Sequence, residues 1–485
     1  MKDYGLFIDN HWVETSGTFL SINPATEQPI AKFAMANKAD VDRAVKAARK
    51  AFDSGVWSEM PAAERGRILR RVADLLRERS EMFSVAETLD TGKPIFESRN
   101  IDIPTAIDSI EYYASLTVDI NGKCIPVGDT ALDYTVREPI GVVAAITPWN
   151  FPLALAFRKL APALAAGNTV VVKPASVTPL TTVMLGEIFT AAGMPEGVVN
   201  IITGSGSTAG NALIHHPLVD KLSFTGSTEI GRDVIDASKD HICEFCLELG
   251  GKSPAVVLAD ANLDAAVDGI LFGAFLNQGE CCCAATRVLV DSSIHKEFVD
   301  LLVEKTSKIV VGDGMDESVR MGPLVSDSHR NSVMDYIEIG KSEAGEPVIG
   351  GGLPAGLDRG YFVEPTIFDN VPESSRIYRE EIFGPVLTVT AFDGADELVR
   401  AANDTAYGLA ASIWTGDTAV GQRLSRRIKA GTVWVNLHNF LYSQAPYGGF
   451  KQSGIGRELG REGLEAYTEV KNVITWLGQG AFRWY

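Results

Sequence analysis

A chain of 485 residues exceeds what one hydrophobic core organises and predicts two or three domains. Its 46% apolar and 22% charged residues are the balance of an ordinary globular protein, and a net charge of −18 repels phosphate backbones and anionic bilayers, which argues against nucleic acid or membrane as a partner. Six cysteines in such a length exclude a disulfide scaffold. An acid at Asp3 with no apolar run behind it does not match a secretory leader, and the most apolar stretch, 141–157, is broken by Thr147-Pro148-Trp149-Asn150. The expected setting is the reducing cytoplasm.

The N-terminal part reads as a short β region followed by helices. Val41, Val45, Ala48 and Phe52 recur at three- and four-residue steps, and Pro61 suits the first turn of a helix whose apolar face includes Ile68, Leu69, Val72, Leu75 and Leu76. Residues 119–139 form a polar, strand-like excursion. From Gly141 the rhythm changes: unbroken apolar runs at 141–146, 169–172, 198–202 and 221–224 alternate with helical stretches at 153–166, 179–192 and 208–215. Such runs suit strands buried on both faces of a doubly wound parallel sheet, which binds ligands beyond the carboxyl ends of its strands. A second α/β pattern follows, with strands at 254–258, 287–290, 411–414 and 432–435 and a helix at 396–403. The apolar tail around 473–476 would leave a sticky edge, so it and 119–139 are predicted to meet across a subunit contact.

Several segments carry chemistry. Gly204-Ser205-Gly206-Ser207-Thr208-Ala209-Gly210 follows a strand and opens a helix, where backbone N–H groups can meet phosphate, at a spacing one residue longer than the dinucleotide fingerprint. Gly226-Ser227-Thr228-Glu229-Ile230-Gly231 repeats the arrangement after the next strand. Lys173, ahead of Pro174, is expected to be exposed at the carboxyl edge of the sheet, within reach of ribose hydroxyls or phosphate. Glu248 precedes Leu249-Gly250-Gly251 and is expected on a flexible turn that a ligand can approach. Asn150, between Pro148 and Pro152, is rigidly placed with an amide to donate, although it suits a turn or helix cap equally well. In Asn277-Gln278-Gly279-Glu280-Cys281-Cys282-Cys283 the adjacent thiols point in different directions and cannot share a metal ion, so no metal site is expected. The run can place one thiol, Cys282, at a defined point; buried small apolar residues explain it as well when it is taken alone. Cys243 and Cys246 form a lone C-x-x-C without the other ligands of a zinc site.

In their order along nearly the whole chain, these segments resemble the NAD(P)-dependent aldehyde dehydrogenase superfamily. The resemblance rests on Pro148-Trp149-Asn150-Phe151-Pro152, Lys173-Pro174-Ala175, Phe224-Thr225-Gly226-Ser227-Thr228 and Glu248-Leu249-Gly250-Gly251-Lys252. It continues with Asn277-Gln278-Gly279-Glu280-Cys281-Cys282, Glu380-Glu381-Ile382-Phe383-Gly384-Pro385 and Pro446-Tyr447-Gly448-Gly449-Phe450-Lys451. It implies an α/β fold: a doubly wound parallel-sheet dinucleotide-binding domain (1–118 and 140–250), a second α/β catalytic domain (251–450) and a small β oligomerisation element (119–139 and 465–485) of a homodimer or homotetramer. It further implies that Cys282 attacks the aldehyde carbonyl, that the Asn150 amide and the Cys282 N–H hold the oxyanion, and that Glu248 deprotonates the hydrolytic water. Ile146, Thr147, Pro148, Trp149, Lys173, Ser176, Gly206, Gly210, Phe224, Gly226, Ser227, Leu249, Glu381 and Phe383 correspond to cofactor-binding positions. Phe151, Leu155, Arg158, Cys281, Phe440, Leu441, Tyr442 and Tyr447 correspond to the substrate tunnel, and Lys159 to a helix lysine linked to proton movement.

Two positions depart from the commonest pattern. Ser176 stands where members that prefer NAD often carry a glutamate, which removes repulsion of a 2′-phosphate and implies that NADP is accepted. Arg158 stands where many relatives have tryptophan and where succinic semialdehyde dehydrogenases have an arginine that grips the substrate's distal carboxylate, but Leu276 occupies the place of that subfamily's second arginine. The expected substrate is therefore a medium-sized apolar or aromatic aldehyde, with a semialdehyde gripped by Arg158 as the alternative. Glu248 argues against a CoA-acylating enzyme, and the retained cysteine argues against an idle structural relative.

Overall fold

A computed structural model describes residues 2–239, 241–478 and 484. Its larger sheet has eight strands in the order Gly454–Ile455, Glu244–Glu248, Lys221–Thr225, Val142–Ile146, Thr169–Lys173, Val199–Ile201, Leu6–Ile8 and His11–Val13. The five central strands are mutually parallel and the flanking ones antiparallel. Valine-rich runs such as Thr-Val-Val-Val-Lys at 169–173 are buried at every position, as expected of strands covered on both faces. In chain order the parallel strands lie 5-4-1-2-3, so the order reverses between Val142–Ile146 and Lys221–Thr225, and a crevice opens beyond Ile146 and Thr225.

Helices cover both faces. Lys38–Asp53 starts in a capping box between Asn37 and Asp40 and buries Val41, Ala44, Val45 and Ala48. Pro61 stands immediately before helix Ala62–Glu78. Pro152–Ala166 follows directly from the first parallel strand. The helix expected at 208–215 begins instead as a wide π turn, Gly206–Gly210, and continues as Asn211–Ile214. Its Gly, Ser and Thr residues favour side-chain capping over regular helix: Ser205 Oγ accepts the Thr208 N–H at 3.1 Å.

The second sheet is wholly parallel, ordered Thr366–Phe368, Val386–Phe392, Arg287–Asp291, Pro254–Val257, Ala410–Trp414 and Thr432–Val435. Val386–Phe392 escapes the pattern of unbroken apolar runs because Thr388 and Thr390 interrupt it. Thr388 is nonetheless fully buried, its hydroxyl donating to the Thr286 carbonyl at 3.2 Å.

The segments predicted to meet across a subunit contact pair with each other inside one chain. Ala131–Pro139 runs antiparallel to Thr468–Trp476 over the register Thr468↔Pro139 to Trp476↔Ala131, with Cys124–Ile125 on its other side. Two strands of nine residues each satisfy one another's backbone, so neither needs another chain for that edge. Residues 479–483 and 485 of the tail lie outside the described residues. Among the described residues no helix is long and apolar enough to cross a membrane.

Candidate active site

Cys282 sits on the loop that follows helix Leu263–Phe275 and the tight turn Leu276–Gly279. Within that turn Asn277 and Gln278 adopt left-handed backbone (φ 50 and 56), a strain on the order of 1 kcal/mol each. Hydrogen bonds hold the strained turn: Asn277 N–H to Glu97 Oε2 (2.9 Å), Asn277 Nδ2 to the carbonyls of Asn150 (2.8 Å) and Glu280 (3.2 Å), and Gly322 N–H to Gln278 Oε1 (3.3 Å). At Gly279 (φ +74) a Cβ would lie 2.4 Å from the Gly384 carbonyl oxygen, so only glycine lets the loop pass. The outer thiols converge, contrary to expectation, with sulfurs 3.6 Å apart, and Cys283 donates to Asn439 Oδ1 at 3.1 Å. The sulfur of the half-buried Cys282 lies 3.8 Å from Tyr447 Oη. Among the described residues no cluster of His, Cys, Asp and Glu is arranged to hold a metal.

Cys282 lies where two cavities meet. One, of about 360 Å³, is walled mainly by apolar groups, with Phe151, Leu155, Arg158, Cys281, Phe440, Leu441 and Tyr447 among its lining, together with Phe96, Phe272 and Leu276. Tyr442 is 60% exposed and is not part of this wall. The other, of about 220 Å³, is lined by Pro148, Trp149, Asn150, Thr225, Gly226, Ser227, Glu248, Leu249, Gly250, Glu381 and Phe383. The two share only Leu155 and Cys282. A third, of about 640 Å³, lies beyond the sheet edge against Ile146, Lys173, Gly206, Gly210 and Phe224. Thr147 and Ser176 line none of the three: Thr147 is buried, its N–H donating to the Lys173 carbonyl at 3.1 Å, and the Ser176 hydroxyl donates to the Gly204 carbonyl at 2.7 Å.

Glu248 does not lie on a flexible turn; it is the last residue of strand Glu244–Glu248 and is buried. Neither carboxylate oxygen has a hydrogen-bond partner, and burial, then repulsion from Glu458, raises its pKa well above the carboxylate range despite the opposing charge of Lys159. Lys159 is itself buried and paired with Glu458 Oε1 at 2.5 Å. Contact with Cys281 favours the Cys282 thiolate, but contact with Cys283 and burial outweigh it and push the thiol up to about 12. Glu381 accepts the Gly251 N–H at 2.9 Å and is raised to about 8 by burial. It lies so close to Gly250 that a Cβ there would fall 2.0 Å from its Oε2. Lys173 is not exposed as expected; burial lowers it to about 8, and its ammonium donates to the Pro174 carbonyl at 3.1 Å.

Asn150 Nδ2 donates one hydrogen to the Glu280 carbonyl at 2.9 Å, which leaves its second for another acceptor. Lys93, which the sequence reading passed over, fixes this residue: its ammonium donates to the Asn150 carbonyl and to Asp102, each at 2.9 Å, and lies 4.1 Å from the centre of the Phe151 ring. Glu458 and His329 were passed over too. The only signal for Lys93 was a lysine between Gly92 and Pro94, and an isolated Glu or His carries none. The residues present fit a nicotinamide dinucleotide: unpartnered Glu248 and glycine-bedded Glu381 face one chamber, and buried Lys173 and a glycine turn face another at the switch point of the sheet.

Residues 12–473 match the aldehyde dehydrogenase family. The mitochondrial aldehyde dehydrogenase of Homo sapiens is 45% identical over 472 residues, covering 96% of this chain and 91% of the relative. An NAD+ complex of an aldehyde dehydrogenase from Bacillus cereus superposes with a TM-score of 0.97 at 43% identity, covering 98% of this chain and 97% of the other. A betaine aldehyde dehydrogenase from Staphylococcus aureus in complex with NAD+ gives 0.97 at 40% identity, covering 99% and 97%. The chain belongs to the aldehyde dehydrogenase family and is an NAD(P)-dependent oxidoreductase that oxidises aldehydes.

Proposed function

We propose that the chain oxidises its aldehyde to the carboxylic acid through a thiohemiacetal and a thioester on Cys282. The observation that carries this reading is the position of Cys282 at the meeting point of the apolar tunnel and the chamber holding Glu248 and Glu381. The thiol adds to the carbonyl carbon, and the free hydrogen of Asn150 Nδ2 and the Cys282 N–H stabilise the oxyanion; losing one such donor typically costs about 2.7–4 kcal/mol of barrier. A bound nicotinamide ring supplies the hydride acceptor. Glu248, the buried carboxyl without a partner, then takes a proton from the water that hydrolyses the thioester. A Cys282→Ala protein should bind the dinucleotide yet turn over no aldehyde, and Glu248→Gln should accumulate an acyl adduct visible by mass spectrometry. Undiminished turnover by Cys282→Ala would end this reading.

The tunnel walls support a medium-sized apolar or aromatic aldehyde as substrate. A second reading rests on Arg158: among the described residues no acid pairs with it, its Nε is buried without a partner, and its guanidinium lies 5.3 Å from the centre of the Tyr447 ring. A cation in the tunnel that no acid contacts directly favours a semialdehyde with a distal carboxylate and disfavours a cationic substrate such as betaine aldehyde. The cofactor is NAD or NADP. The lack of a carboxylate at Ser176 supports acceptance of the 2′-phosphate, and comparing kcat/KM for the two dinucleotides tests it. The dinucleotide falls to residues 1–118 and 140–250 and catalysis to 251–450. The six free thiols fit a cytoplasmic protein, and the outer edge of Thr468–Trp476, with 119–139, fits the contact surface of a homodimer or homotetramer.

A further inference from the structure

Helix Asp327–Ala344 begins at Ser326, whose hydroxyl caps the His329 N–H at 3.2 Å and so sets His329 on the first turn. The imidazole is turned inward. Its Nε2 lies 2.7 Å from the Phe383 carbonyl oxygen and therefore carries the hydrogen. The ring meets Trp149 edge-on (centroids 5.1 Å) and lies near Phe383 (6.2 Å), while Trp149 and Phe383 meet each other at 5.2 Å, closing a cluster of three rings. Phe383 holds a left-handed backbone (φ +59) that bulky residues avoid, and its carbonyl is fixed in that conformation by the imidazole. The same Nε2 lies 3.6 Å from Glu280 Oε1, an oxygen that also accepts the Val325 N–H at 2.9 Å. The backbone carbonyl of Glu280 receives the Asn150 amide. His329 thus touches the loop bearing Phe383 and the loop bearing the nucleophile, yet lines neither cavity at Cys282.

We propose that His329 is a positioning residue that sets the nicotinamide end of the cofactor chamber, holding Phe383 and Trp149 in place through the Nε2–H bond to the Phe383 carbonyl. The bond, and not merely ring packing, is the operative feature. The inference rests on reading the Trp149–Phe383 chamber as the dinucleotide site.

Three variants test it: His329→Ala removes ring and donor, His329→Phe keeps a ring without the donor, and His329→Gln keeps a donor without the ring. Binding of NAD+ is measured by calorimetry on the full chain, with kcat and both KM values, and the Trp149-dependent fluorescence of the free protein is isolated with a Trp149→Phe control. For His329→Ala and His329→Phe the expected result is about tenfold weaker NAD+ binding and higher cofactor KM, the worth of roughly one hydrogen bond, with little change in aldehyde KM and a shifted Trp149 emission. His329→Gln should restore binding to within about twofold to threefold of the original chain. NAD+ binding unchanged in both donor-less variants, or equally weak binding in folded His329→Gln, would overturn the inference while leaving the proposed function intact. Failure of the unsubstituted chain to bind any dinucleotide would overturn both.

Discussion

Burial and contact with Cys283 push the Cys282 thiol up to about 12, and burial and Glu458 raise the Glu248 carboxyl beside the same chamber well above the usual carboxylate range. A carboxyl whose pKa is raised acts as a base only once the pH has climbed far enough to remove its proton. Thioester hydrolysis is therefore expected to rise with pH above the usual carboxylate range and to fall as Glu248 protonates. Single-turnover measurement of acid release across pH checks this; Glu248→Gln should be slower by roughly 10²- to 10⁴-fold and lose the slope. At Arg158 the expectation is selective. Arg158→Leu should lower kcat/KM for a carboxylate-bearing semialdehyde by about 10- to 100-fold, the range of a charged hydrogen bond, and leave apolar aldehydes unchanged or improved. Parallel losses on both classes in a substrate panel would make Arg158 structural. At this scale the sequence showed residues embedded in distinctive strings, such as Cys282, Asn150 and Glu248. Lys93, Glu458 and His329 stayed hidden because each acts by being packed against something distant in the chain, and no local string announces that.

Among the elements, strands made of unbroken apolar runs were legible because burial on both faces leaves no polar alternation to confuse them. Val386–Phe392 was not, since Thr388 is buried by donating to the Thr286 carbonyl, at the head of the neighbouring strand Arg287–Asp291, which the local sequence does not reveal. The short helix bonded to the turn ahead of Cys282 carries a further consequence. Glu97, in the short helix Ile95–Glu97, is raised from 4.5 to about 8 by burial despite Lys93, while accepting the Asn277 N–H. The folded state therefore keeps a proton that the unfolded chain gives up. The associated stability is fully present below about pH 4.5 and is lost as the pH rises toward 8, at up to about 1.4 kcal/mol per pH unit. Glu97→Gln, which preserves the acceptor but cannot ionise, should flatten the fall in Tm between pH 5 and 8; an unchanged Tm profile would show that Glu97 does not titrate there.

Over the whole molecule, the sequence picked out both long strands of the three-stranded sheet but not that they pair with each other within one chain. The pairing of Thr468–Trp476 with Ala131–Pro139 joins strands hundreds of residues apart, and an apolar tail looks the same whether its partner belongs to its own chain or another. Its outer edge still exposes Val470, Ile474 and Trp476 (59, 65 and 55%). Ile474→Asp is expected to shift the assembly toward smaller species in light scattering with little change in the Tm of the monomeric unit, because it places a charge on a surface that an apolar contact would bury. A mass distribution identical to the unsubstituted protein would remove that edge from the assembly.

The walls of the two chambers at Cys282 have only one leucine and one cysteine in common. On the proposed assignment of the two chambers, traffic through them would be separable: a spent dinucleotide would depart and a fresh one arrive while the acyl chain still occupied its own channel. Cross-inhibition between the acid product and the oxidised coenzyme should accordingly be weak, each molecule competing chiefly with its own precursor for its own doorway.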